Sequence, residues 1–240
     1  MKNILFIIIF SYCTYASDTI QPLTEIWTPY QMETKKGLNG ISIDLVKEIQ
    51  KRIGNTKEIE VTTWNRGYDV TLAKTGYALF LTTRSQKREK LFKWVGPISS
   101  MKLVFFKNKK RKDLNILTLD DAKKVKSIVV AKKTIANEKL AEYGFQNLEV
   151  NSLANYSFKK LRENKVDLYP VEYHGFMYKL KKLGLESEIV PVKMKEAIYE
   201  SQLYIAFNIN TKEAVIKTWQ TALDSIKEDG TYEKILHRYK

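Results

Sequence analysis

The side chains best suited to chemistry in this 240-residue chain sit in one arginine-rich block, Thr82-Thr-Arg-Ser-Gln-Lys-Arg-Glu-Lys-Leu-Phe-Lys-Trp-Val-Gly-Pro-Ile98. Arg84 and Arg88 each present a planar fork that can make two parallel charge-assisted bonds to one carboxylate and stays charged when desolvated. Thr83 and Ser85 stand beside them with hydroxyls. Two aromatic stretches, Trp27-Thr-Pro-Tyr-Gln and Trp64-Asn-Arg-Gly-Tyr, carry Trp27, Tyr30, Trp64 and Arg66. Flat aromatic faces bury apolar surface and attract cations. Covalent and metal chemistry find little material. His174 and His237 are the only histidines, Cys13 is the only cysteine, and no Ser/His/Asp set or glycine-rich phosphate loop is evident. No cofactor and no metal site is expected.

Elements must hold those residues in place, and the chain supplies them in an alternating rhythm. Leu23 to Trp27 reads as a strand broken by Pro29, and Gly37 to Gly40 as a turn. Leu45, Val46, Ile49 and Ile53 fall on one helical face before Gly54. Glu58 to Thr63 and Ala78 to Thr82 read as strands flanking a short helix over Tyr68 to Lys74. Lys102 to Phe106 is extended. Thr118 with Asp121 opens a short helix as a capping box. Strands at 127–131, 148–150 and 166–169 then alternate with helices at 137–143, 156–163 and 175–183. A strand at 203–207 leads to a long amphipathic helix capped by Asn210, and Thr231 caps a last helix. Two rounds of βαβ predict an α/β fold with mostly parallel sheets, and ligands of such sheets bind beyond the carboxyl ends of the strands.

The first residues predict export. Lys2, the apolar run Ile4 to Phe10 and the small residues Thr14 and Ala16 form a signal peptide over residues 1–16, cleaved near Ala16. The run is too short to anchor a helix in a bilayer, which takes about 20 apolar residues. Tyr12 before Cys13 argues against a lipid anchor. The formal net charge of +14 raises nucleic acid as a partner. The lysines, however, are scattered along helix faces, and the densest run, Lys107 to Lys112, reads as a solvated loop, so no nucleic-acid partner is expected.

Three segments together carry a family resemblance: Trp27-Thr-Pro-Tyr-Gln with Gly40-Ile-Ser-Ile-Asp-Leu-Val46, the Trp64 stretch with the arginine block, and Asp229-Gly-Thr-Tyr-Glu-Lys-Ile-Leu-His-Arg-Tyr239. In this order they resemble the family 3 extracellular solute-binding proteins, which serve polar amino-acid ABC transporters. The resemblance implies a type II periplasmic binding protein fold: two α/β lobes joined by a two-strand hinge with a ligand cleft between them. Lobe one would be 21–100 plus 204–240, and lobe two 101–203. It also implies a periplasmic, monomeric binder of a small anionic or zwitterionic solute, above all an amino acid, delivered to an ABC permease in the inner membrane.

By the same resemblance, Arg88 would grip the ligand's carboxylate, with Arg84, Thr83 and Ser85 nearby. Trp27, Tyr30, Trp64 and Arg66 would line the cleft from lobe one, the latter two in a loop after a strand. Glu172 would meet the ligand's amino group, and the turn at Thr134 to Asn137 would offer backbone N–H groups to the carboxylate. The chain departs from the family where Lys133-Thr-Ile-Ala-Asn137 lacks glycine, where Ser42 and Ala78 stand for aspartates, and where Glu172 replaces aspartate. The missing glycines imply a looser backbone approach, and the set of departures leaves open a ligand other than a standard α-amino acid. Two other readings share the fold: a sensor that presents ligand to a receptor, and an enzyme such as a cyclic-acid dehydratase with Glu172 as general acid.

Overall fold

The computed structural model describes residues 19–239 except Lys36 and Leu153, so the leader read at 1–16 lies outside the described residues. The chain opens with β1 (Gln21–Thr24), a small hairpin of β2 (Met32–Thr34) and β3 (Gly37–Asn39), and α1 (Ile41–Ile53). There follow β4 (Glu60–Val61), α2 (Trp64–Ala73), β5 (Tyr77–Thr83), α3 (Gln86–Glu89) and the 17-residue β6 (Phe92–Asn108). Then come α4 (Leu119–Lys123), β7 (Ile128–Ala131), α5 (Ile135–Glu142), β8 (Leu148–Asn151), α6 (Ala154–Arg162), β9 (Tyr169–Glu172) and α7 (Tyr173–Leu183). β10 (Ile189–Pro191), β11 (Tyr199–Asn208), α8 (Glu213–Glu228) and α9 (Thr231–His237) complete it.

Two α/β lobes share two continuous strands. β1 pairs in parallel with β4 and β5. β11 runs antiparallel to β5 through Leu203 to Phe207 and antiparallel to β6 from Asn208↔Phe92 to Tyr199↔Leu103. The far half of β6 then pairs with β9 and β10, and a bridge between Ile128 and Leu168 brings the parallel β7–β8 pair alongside. β6 and β11 are thus the connection between the halves, and both ladders of β11 shift register next to Leu203–Ile205. Leu81 of β5, opposite that irregularity, takes a positive φ of 57°. Bulges of this kind re-aim side chains beside functional sites, and Leu81 faces the cavity described below.

The core follows the periodicity. Ile43, Leu45, Val46 and Ile49 of α1 are fully buried, and Trp219, Leu223 and Ile226 of α8 join the same cluster. A smaller cluster around Phe106, Phe176 and Leu180 lies beneath α7. The tail docks back onto α1: the Tyr239 hydroxyl donates to Asp44 at 2.9 Å, and Arg52 pairs with Asp229 at 2.6 Å. Among the described residues no helix is long and apolar enough to cross a membrane.

Several boundaries differ from the expectations. α2 begins at Trp64 rather than Tyr68, so Trp64 and Arg66 lie on a helix and not in a loop. A β-carbon at Gly67 would stand only 3.0 Å from the Leu79 side chain, so glycine there lets α2 lie closely against β5. The strand expected to end at Tyr169 instead begins there, because residues 166 and 167 form a bend and only Leu168 makes a bridge, to Ile128. Asn210 does not cap α8. Its helix starts two residues later, after Lys212, while the backbone N–H of Asn210 donates to the side chain of Asn208. Gly230 rather than Thr231 stands at the cap of α9. The Thr118–Asp121 capping box is present in full.

Candidate functional site

A cavity of about 760 Å³ opens between the two halves. One wall comes from the turn after β1 (Glu25, Trp27, Thr28), the start of α2 (Trp64), the end of β5 (Leu81, Thr83) and α3 (Arg88). The facing wall comes from β7 and α5 (Ala131, Thr134, Ile135), from Phe158 of α6, and from β9 and α7 (Tyr169, Glu172, Gly175, Phe176, Lys179). These are the carboxyl ends of β1, β5 and β7, where the strands hand over to loops and helices.

Arg88 is the most constrained residue of the first wall. Helix α3 is a single turn, and it turns the Arg88 side chain inward until only 3% of it is exposed. Its guanidinium lies 5.6 Å from the ring centre of Trp64 and 5.5 Å from that of Tyr68. Nη2 donates to the Lys133 carbonyl at 2.9 Å, and Nη1 makes a long contact to the Thr83 carbonyl at 3.4 Å. Nε lies 3.1 Å from the carboxylate of Glu138, whose other oxygen accepts from the Ser85 hydroxyl. Burial lowers the guanidinium's pKa, and Glu138 opposes that by stabilising the charge.

The turn before α5 adopts the geometry its sequence argues against. Lys133 has a positive φ of 63°, a left-handed conformation that costs a non-glycine residue on the order of 1–3 kcal/mol. The Lys133 carbonyl receives the Trp64 indole at 3.0 Å as well as Arg88, and its ammonium reaches Asp69 of α2 at 2.6 Å. Thr134 lines the cavity, but its hydroxyl is occupied with the Ala131 carbonyl at 2.7 Å and the N–H of Asn137 at 3.3 Å, as the cap of α5.

Glu172 is buried, 3% exposed, and its carboxylate caps α7 by accepting the N–H groups of His174 at 3.0 Å and Gly175 at 2.6 Å. Tyr30 hydrogen-bonds the same carboxylate. Burial raises the pKa of Glu172 and these donors pull it back. Burial, reinforced by the neighbouring carboxylate, also raises that of the Tyr30 hydroxyl. Trp27 packs edge-on against Tyr30 at 5.3 Å and faces the cavity.

Of the ten residues singled out from the sequence, Arg88, Trp27, Trp64, Thr83, Thr134 and Glu172 line one cavity. Four do not. Tyr30 is buried behind Trp27. Ser85 is buried against Glu138. Arg66 points to solvent from α2. Arg84 is held outside by a two-bond pair with Glu89, at 2.6 and 2.7 Å, and by the rings of Trp94 and Tyr204. Alternation explains this last result, since Thr83 and Arg84 project to opposite sides of the end of β5.

Glu25 also lines the cavity, although it is not among those ten. It directly follows the last residue of β1, accepts the backbone N–H of Trp64, and remains partly open to the cavity while protein surrounds it elsewhere. Desolvation pushes its carboxyl up to about 7. The sequence offers no signal for it, because the strand read over Leu23 to Trp27 places Glu25 mid-strand, whereas β1 ends at Thr24. Taken together, the wall residues can hold a small polar molecule by charge, aromatic contact and burial.

Comparison with known proteins agrees with that geometry. Solved structures of the same fold include a histidine kinase sensor domain with similarity to periplasmic binding proteins (18% identity, 91% of this chain and 95% of that one, TM-score 0.80). They also include an ancestral arginine-binding protein bound to arginine (20%, 92% and 97%, TM-score 0.78) and the arginine-, lysine-, histidine-binding protein ArtJ from Geobacillus stearothermophilus (15%, 92% and 94%, TM-score 0.78). No curated protein sequence matches the chain. The model of the bacterial extracellular solute-binding proteins, family 3, matches residues 23–240. With that match over nearly all of the described chain, and a cavity walled by both lobes, the protein belongs to the family 3 bacterial extracellular solute-binding proteins.

Proposed function

We propose that the chain captures a small amino compound, an amino acid or a closely related amine, outside the cytoplasm and delivers it to an ABC permease, without chemical change. The supporting observation is the cavity itself, in which Arg88, Trp64 and Trp27 of one wall oppose Glu172 of the other. In this reading residues 21–100 with 204–240 form the first lobe and 101–203 the second, and residues 1–16 are the export leader. β6 and β11 flex where their ladders change register, and ligand held between the walls stabilises the closed arrangement. Neighbours described as amino-acid binders favour this class of ligand, and a sensor role would use the same capture step.

The test is a thermal-shift screen of the purified protein against amino acids, small amines, organic acids and sugars, because a ligand that binds only the folded state raises the melting temperature. A concentration-dependent rise with an amino compound, lost in Trp64→Ala, is expected. A rise confined to sugars or to acids lacking an amino group would contradict the proposal.

A further inference from the structure

We propose that Glu138 takes the place of a ligand carboxylate at Arg88, so that the cavity is built for a cationic amine carrying no carboxylate beside its amino group. This rests on the reading of the cavity as a ligand site and narrows the ligand it takes.

Arg88, the one arginine among the described residues of the cavity wall, is already answered from within. Both oxygens of Glu138 are used across the lobe boundary, one on Arg88 Nε at 3.1 Å and the other on Ser85. Both side chains are nearly closed to solvent, at 3% and 11% exposed. Screening is weak in such a place, so a second carboxylate brought to Arg88 would meet the first at short range with only one positive charge between them. Glu138 sits in the first turn of α5, and Thr134 and Lys133, directly before that helix, are tied to their own partners.

What remains for a ligand is of the opposite sign. Glu25 and Glu172 face the cavity from its two walls, with Trp27 among the aromatic side chains that line it and could receive a cation. The other cations among the described lining residues are Lys179 and Lys182 of α7. At the helical rise they lie roughly 10 and 15 Å along α7 from Glu172, and Lys179 rests 4.9 Å from the ring centre of Phe158. An α-amino group and its own carboxylate share one carbon. A ligand whose amine is anchored at Glu172 therefore cannot place that carboxylate on either lysine.

Isothermal titration with matched pairs tests this: arginine against agmatine, lysine against cadaverine, phenylalanine against phenethylamine. In the wild type the amine of a binding pair should bind more tightly than its parent amino acid, by about tenfold or more. Glu138→Gln frees the guanidinium and should move the ratio toward the amino acid by about tenfold. Equal or tighter binding of the amino acid by the wild type overturns the inference and leaves the proposed function standing. An unchanged ratio in Glu138→Gln also overturns it. Binding of no member of any pair also overturns the inference, and the thermal-shift screen then decides the proposed function separately. Should Glu138→Gln fail to fold, the wild-type ratio decides alone.

Discussion

Gly175 of α7 approaches Trp27 so closely that a β-carbon on it would stand 2.8 Å from the indole nitrogen and 3.0 Å from the Thr28 carbonyl. The two residues belong to opposite walls of the cavity. Glycine is thus the residue that lets the walls meet here. Gly175→Ala should hold them apart, at a cost of about 1–3 kcal/mol to the closed arrangement. Small-angle scattering of the variant is expected to give a larger radius of gyration than the wild type, with weaker ligand binding. An unchanged radius and affinity would contradict this role.

Arg88→Ala should cost more than the loss of one cation. It leaves Glu138 buried without its partner, and breaking such a pair from one side typically costs about 3–5 kcal/mol. Chemical denaturation should show a large drop in stability. The double variant Arg88→Ala with Glu138→Gln should recover part of it, because the stranded charge is gone. If the double variant is no more stable than the single one, the pair is not what holds α3 against α5.

The acidity of Glu25 sets a pH window. Its carboxyl lies near 7 in the folded chain against an ordinary value of 4.5, so the unfolded chain gives up its proton first. Stability from this group is highest at low pH, falls as pH rises from about 4.5, and is fully lost above about 7. At about 1.4 kcal/mol per pKa unit the effect is at most roughly 3 kcal/mol, reduced because Glu25 keeps some exposure to solvent. Glu25→Gln should therefore flatten the melting temperature between pH 5 and pH 8, a span of about three units. It should also weaken amine binding most at the alkaline end, where the wild-type carboxylate is charged. An undiminished slope would place the titration elsewhere.

The Lys133–Asp69 ion pair is more exposed than the Arg88–Glu138 pair. Its side chains are 31% and 56% exposed, so Asp69→Asn should cost no more than about 1 kcal/mol and the difference should fade in high salt. A salt-independent loss well above that would mean the contact is less open to water than this.

Much of the fold was legible because burial is periodic. The α1 face, the α8 face and the β7 run Ile128–Ala131 are written in apolar spacing. The hairpin of β2 and β3 was not, since most of its residues are exposed and no alternation marks it. Gly96-Pro97 hid the length of β6, which runs straight through that pair. In the site, Arg88, Trp27, Trp64 and Glu172 were found through the resemblance. Glu138 was invisible: it lies 50 residues from Arg88 in the chain, and only the packing of α5 against α3 brings the two together. The double duty of Glu172 as helix cap was equally hidden, because a glutamate ahead of Tyr-His-Gly does not reveal which backbone it will meet.

Capture of a small molecule between the two walls can be followed in solution. Tryptophan fluorescence reads it directly, because Trp27 and Trp64 line the cavity while Trp94 and Trp219 do not. Titration with an amino compound selected by thermal shift should give a saturable change at one site per chain, and that change should vanish in the Trp27→Phe, Trp64→Phe double variant. A saturable response that survives unchanged in the double variant, or none from any compound that raises the melting temperature, would contradict it.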